Sequence, residues 1–290
     1  MIYLIVSVLF YSLNNLLWKR ILQQSNKWLV MSTRALLTTL VGSCTIIFFS
    51  PEIVSKIDIG SVFKITVASL LGAFGLICMI TALQKGTLRQ LGVFNLLTIS
   101  LTVTYLFLFE NFDFINFLLG TSLVLLGFCV YIFQLKKLDT KESNFKEIIY
   151  FSMMSLFFAS SGIVHWYNFK ESISPLFSVV NQELIVFLVG GIGFLAQAKS
   201  VKKQWLQSII KSSQILLLMA LLIFAAVWAG FLGLKFTNPF LASLLPLATP
   251  ILTIIFGAIF FKEKWNKNIG FALLLISVGA FILHFNLNHF

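Results

Sequence analysis

Charge-free or nearly charge-free stretches recur along the chain with short polar connections between them. They run Ile2–Ile21 (Lys19 and Arg20 at its far end), Trp28–Phe49 (which carries Arg34), Ile65–Gln84, Gln90–Phe109 and Phe114–Leu135. After the polar linker Lys136–Glu147 come Ile148–Phe169, Ile173–Ala198 (which carries Glu183), Ser212–Leu234, Phe236–Phe261 and Asn268–Phe290. Each is near the ~20 residues that cross hydrocarbon as a helix. Strands that cross a bilayer alternate in polarity over ~10-residue segments, and these stretches do not. The pattern predicts an all-α polytopic membrane protein with ten transmembrane helices. The first run lacks a basic leader and its positive charges follow the apolar stretch, so it reads as a span and not as a cleaved signal.

Composition supports the pattern. Of the 290 residues, 59% are hydrophobic and only 11% charged, whereas globular chains run near 45–50% and about 25%. The mean hydropathy is +0.96. Ten spans and their connections leave no room for a soluble domain. Cys44, Cys78 and Cys129 all sit in apolar runs, which argues against a disulfide framework or a metal site. A net charge of +11 would suit nucleic acid if it were gathered on one face. Here it is scattered over short loops, as in the cytoplasmic connections of membrane proteins.

Internal similarity divides the chain in two. An offset of 148 places Ser7–Ser12 on Ser155–Ser160, Trp18 on Trp166, and Leu40-Val41-Gly42 on Leu188-Val189-Gly190. An offset of 150 places Gly120 on Gly270, each followed by an apolar run. The expected repeats are residues 1–143 and 144–290, five helices each, and an odd number of helices inverts the second copy. Charge tests this separately. Of the 21 basic residues, only Lys56, Lys64, Lys170 and Lys235 fall in even-numbered connections. The odd connections are therefore expected to be cytoplasmic and both termini outside.

Asn238, Pro239, Pro246, Pro250 and Thr253, followed by Phe261-Lys262-Glu263 and then Gly270 and Gly279, form a pattern. It resembles the signature of the EamA-type transporters of the drug/metabolite transporter superfamily. Tyr11, Asn14 and Lys19 are similar to that family's first-helix opening, Arg34 falls where an arginine is common, and Glu110 and Gly120 echo Glu263 and Gly270. The chain departs in having Tyr11 for tryptophan, Ser12 for glycine, and no proline around Leu97–Ser100. The resemblance implies a ten-helix secondary transporter in the cell (inner) membrane. Such a protein works as a monomer without a cofactor, and its partners are a small-molecule substrate, the lipid bilayer and, in coupled forms, protons.

Arg34 and Glu183 are the charges well inside apolar runs, where a charge is expensive unless paired or watered. Glu183 lies about 12 Å from the start of its helix at Pro175, too deep to escape, and is a candidate proton carrier. Arg34 has two readings, a wall of the path or a side chain that snorkels to the cytoplasmic interface. Asn181 and Gln182 flank Glu183, and at ~100° per residue only two of the three share a face. Asn14, Asn15 and Asn95 are substrate or interhelical hydrogen-bonding groups. His165, Trp166 and the deeper Trp228 complete the candidate path, with Trp166 equally an interfacial anchor. A lone histidine without companions is a poor metal ligand. Pro246 and Pro250 remove backbone donors and should kink the ninth helix. Glu110 and Glu263 read as caps or ion-pair partners, with Lys262 and Lys264 available.

Two other functions compete with a small-metabolite exporter. An intramembrane enzyme needs a nucleophile, base or metal set at working spacing, and the sequence has neither His-Glu-x-x-His nor Gly-x-Ser-x-Gly. A lipid-headgroup or nucleotide-sugar carrier would want a path rich in Lys and Arg, and only Arg34 qualifies. No phosphate-binding loop occurs, so ATP is not the expected energy source.

The charge distribution generates a topology prediction. A cysteine placed at Asn288 should react with an impermeant reagent added outside cells, and one at Ser143 should not. Labelling at Ser143 alone would reverse the assignment.

Overall fold

The computed structural model describes residues 1–22, 25–55, 57–83, 88–112, 114–138, 145–197, 212–261 and 267–287. Helices are α1 (Ile2–Leu22), α2 (Lys27–Phe49), α3 (Ile59–Leu83), α4 (Leu88–Phe109), α5 (Leu118–Leu138), α6 (Phe145–Lys170), α7 (Pro175–Leu195), α8 (Ser213–Phe236), α9 (Pro239–Leu244), α10 (Thr249–Phe261) and α11 (Lys267–Leu287). Among the described residues there is no strand. Among the described residues seven segments are long and apolar enough to cross a membrane, one of them Pro239–Phe260, which joins α9 to α10. Three shorter apolar helices, Ile2–Trp18, Val93–Phe109 and Ile269–Phe285, accompany them. Large apolar side chains point outward, among them Phe48, Phe49 and Phe107. A surface of this kind is stable against hydrocarbon and not against water. The chain is a multi-pass α-helical membrane protein.

Backbone groups in lipid must be satisfied internally, and the helix ends show how. Asn26 caps α2 by accepting from the Trp28 N–H at 2.9 Å. Ser174 caps α7 with Pro175 at the first position, and Asn238 does the same for α9 with Pro239, accepting from the Leu241 N–H at 2.9 Å. Proline there lacks a donor that the helix start would leave unused. The seventh run thus begins at Pro175 and not at Ile173. The third begins at Ile59 and not at Ile65, which brings Lys64 into the helix, where its ammonium meets Glu171. The ninth run is two helices, because the backbone tightens into a 3-10 turn over Leu245–Ala248 at Pro246.

The helices pair in a definite pattern. α3 packs on α6, α1 on α8, α2 on α7 and α5 on α11. All four pairs are antiparallel. Ser161 Oγ donates to the Ala68 carbonyl at 2.8 Å while Lys64 meets Glu171 at the end of the same pair. Ser7 Oγ donates to the Ala226 carbonyl at 2.7 Å, and Leu4 lies against Gly233. α4 runs beside α6 in the same direction, with Ser155 bonded to the Phe94 carbonyl and Tyr105 to Tyr167.

Glycine sets the spacing in these pairs. A Cβ at Gly233 would stand 2.4 Å from Leu4 Cδ2, and one at Gly120 would stand 2.9 Å from the Gly279 carbonyl oxygen. Gly162 differs, since a Cβ there would meet nothing within 4 Å. Gly233→Leu should therefore destabilise the protein by about 1–3 kcal/mol through overpacking. Gly162→Ala should hold or raise stability by up to ~1 kcal/mol through helix propensity. Thermal unfolding in detergent compares them, and equal melting temperatures would contradict the packing.

Candidate functional site

A cavity of about 330 Å³ lies among α1, α2, α3, α4, α6, α7, α8 and the broken α9–α10 segment. Helical periodicity explains its walls. Tyr11, Asn14, Asn15 and Trp18 recur at i, i+3, i+4 and i+7 on α1, and Asn95, Thr98 and Thr102 at i, i+3 and i+7 on α4. Each set forms one face of a helix. Gln182, Glu183 and Val186 come from α7, Phe158 and Gly162 from α6. Pro246 and Pro250 come from the broken segment, Pro246 within its 3-10 turn and Pro250 at the start of α10.

At the centre, Arg34 Nη1 stands 2.8 Å from Glu183 Oε2, and both side chains are almost wholly buried. This rules out the snorkelling reading of Arg34, which is 2% exposed. Close glycine packing of α2 on α7 makes the approach possible: Gly42 abuts Val180, and Gly190 abuts Met31 and Ser32. The pair is close, but its alignment is not that of a hydrogen bond. Arg34 Nε and Nη1 and Glu183 Oε2 have no hydrogen-bond partner. Asn14 Oδ1 is likewise buried and unpartnered. Unmet polar groups of this kind are costly in a dry interior, and facing a cavity they are available to a solute.

A second cavity of about 240 Å³ adjoins the first and shares Tyr11, Gly72, Gln182 and Pro246 with it. His165 lines this one, at 1% exposure.

The other candidates lie outside the lining of either cavity. Asn181 turns from the face of Gln182 and Glu183 and donates from Nδ2 to Thr66 Oγ1 on α3 at 3.3 Å. Trp228 packs against Phe224, ring centroids 5.6 Å apart. Trp166 lies under the Lys170 ammonium at 3.5 Å. That lysine also bonds Glu110 at 3.1 Å, and the Tyr167 hydroxyl donates to the same carboxylate. Both hydrogen bonds hold the Glu110 carboxyl below the usual glutamate range, the one from Tyr167 contributing most. Glu110 thus ties the end of α4 to α6, whereas Glu263, Lys262 and Lys264 lie outside the described residues. Among the described residues no cluster of three His, Cys, Asp or Glu could hold a metal ion.

Sequence reading missed Tyr11 and Trp18 as cavity residues, along with Thr98, Thr102 and Gly162. The i, i+3, i+7 recurrence from Tyr11 and from Asn95 was the available signal.

The ion pair yields a double-mutant prediction. Removing one partner strands a buried charge and typically costs 3–5 kcal/mol, whereas replacing both is far less harmful. Arg34→Gln and Glu183→Gln should each lower thermal stability more than the double substitution does. Additive losses would show that the two charges act independently.

Comparison with known proteins agrees with this architecture. Residues 145–285 match the model of the EamA-like transporter family. A solved chain described only as "Crystal structure of protein" shares the fold, with a TM-score of 0.72 at 13% identity, over 97% of this chain and 95% of that one. A search of curated proteins finds no match. Residues 145–285 are thus similar to the EamA-like transporters, and together with the apolar helices this supports a membrane transporter of the drug/metabolite type.

Proposed function

We propose that the chain is a secondary transporter that exports a small metabolite, an amino acid or a related compound, by alternating access. The observation that carries this is the cavity of about 330 Å³ with a buried Arg34–Glu183 pair in its wall. Opposite charges side by side, each with unmet hydrogen-bonding capacity, complement a zwitterion. The free Arg34 N–H groups suit a carboxylate, Glu183 suits an ammonium, and Asn14, Asn15, Asn95 and Gln182 surround them. Leu76, Met79, Val186 and Ile223 give the solute an apolar enclosure.

Alternating access needs two elements that rock against each other, and residues 1–143 and 144–290 are read as inverted repeats. The pairing of helices supports this. Match α1–α5 in order to α6, α7, α8, the α9–α10 segment and α11. The α3–α6 contact then becomes α8–α1, α3–α7 becomes α8–α2, and α4–α6 becomes α10–α1, and each of these contacts occurs. α2–α7 and α5–α11 map onto themselves and run antiparallel. A two-fold axis in the membrane plane requires that, and an axis along the normal forbids it. Residue detail agrees: the 148 offset turns the Gly42–Val180 contact into the Gly190–Ser32 contact. The distribution of basic residues supports an orientation with both termini outside, and the resemblance supports placement in the inner membrane.

Glu183 is the proposed proton carrier, with Arg34 holding its charge between proton transfers. The test compares metabolites in medium and cells, with and without the protein, and then repeats gradient-driven transport with Glu183→Gln. One or a few zwitterions should accumulate in the medium in the presence of the wild type. The variant should bind them more weakly and lose the response to a proton gradient. Full gradient-driven transport by Glu183→Gln would leave a facilitator without proton coupling.

A further inference from the structure

We propose that the chamber of about 240 Å³ beside the central cavity is a second recognition site, where the His165 imidazole hydrogen-bonds an uncharged polar group of the transported solute. This rests on the zwitterion reading above and extends it. The solute would place its charged head at Arg34–Glu183 and its tail against His165.

His165 is 1% exposed, and apart from a loose contact with the Gln182 amide its Nδ1 and Nε2 have no hydrogen-bond partner. Its ring is nonetheless held in place. The Phe231 centroid lies 4.4 Å away and that of Phe169 5.8 Å, and these two rings also touch each other. A phenylalanine would fill this aromatic nest without burying nitrogens, and the Gln182 amide can satisfy only one of the two on the ring. The chamber's serines do not relieve it. Ser7 and Ser161 spend their hydroxyl protons on the Ala226 and Ala68 carbonyls, at 2.7 and 2.8 Å.

The chamber also connects to the right place. Gln182 neighbours Glu183 in sequence, lines both cavities, and turns its amide toward the imidazole. Gly162 lines both as well and leaves open space in front of its Cα. Gly162 thus puts no side chain on the wall that the two cavities share. Uncharged imidazole offers a donor on one nitrogen and an acceptor on the other. An amide matches both, and a hydroxyl can do the same. The surrounding Leu4, Val8, Val227 and Leu234 disfavour a charged tail.

The experiment uses the full chain in lipid nanodiscs and three probes: leucine, asparagine and glutamine. Leucine and asparagine have the same branched shape and differ in methyls against an amide. The wild type should bind asparagine or glutamine more tightly than leucine. His165→Phe should fold with unchanged or higher thermal stability and lose about tenfold of that preference, the worth of one well-placed hydrogen bond and its desolvation. Leucine affinity should stay the same. His165→Gln, which keeps a donor and an acceptor, should retain most of the preference. If leucine binds but the wild type shows no preference, or if His165→Phe keeps it, the second site is overturned and the zwitterion reading stands. If no probe binds even the wild type, the zwitterion reading itself falls, and this inference with it.

Discussion

Two opposite charges in the middle of a hydrocarbon slab can persist only if each is the other's solvent. Arg34 and Glu183 meet that condition at 2.8 Å, and much of the surrounding architecture serves the meeting. Their helices approach closely because Gly42 and Gly190 present no side chain at the crossing. A bulkier residue at either would push α2 and α7 apart, and the low-dielectric attraction that offsets two desolvation costs weakens with separation. The neighbouring amides of α1, α4 and α7 line the same cavity without bonding the pair, which leaves its unmet polar groups facing open space.

The broken ninth segment meets a related demand. An uninterrupted helix from Pro239 to Phe261 would keep its carbonyls engaged. Pro246 and Pro250 withdraw two donors, and the 3-10 turn at Leu245–Ala248 carries the chain along the cavity wall. Irregular backbone at membrane depth is tolerated where it lines a cavity or is buried in protein. Here it is both, since Leu245 and Leu247 are buried on the far side.

Much of this was legible in the sequence because lipid imposes a simple code. Apolar length marks the helices, and the depth of Arg34 and Glu183 within their runs marks the centre of the site. That the two charges could pair if both reached the midplane was readable, but their register was not. They are far apart in sequence and approach from helices starting on opposite sides, so only the α2–α7 crossing fixes their register. At ~100° per residue only two of Asn181, Gln182 and Glu183 could share a face, and the structure shows that Asn181 is the one turned away. Trp166 and Trp228 carried a signal of residue type without a signal of direction. Helix starts shifted where a capping serine or a surface ion pair outweighed hydropathy, as at Ser174 and Lys64.

The position of the ion pair bears on the history of the chain. Under the proposed repeat, the 148 offset makes Arg34 equivalent to Gln182 and Glu183 equivalent to Ala35. The pair therefore sits almost on the symmetry axis, yet its two members come from non-equivalent positions. Two identical five-helix subunits facing each other across that axis must present every such contact twice. They could offer two Arg–Glu pairs or none, but never one. A single pair is available only to a chain whose copies have drifted apart. Divergence of the two copies, which lets one change while the other does not, is then a precondition for this electrostatic centre.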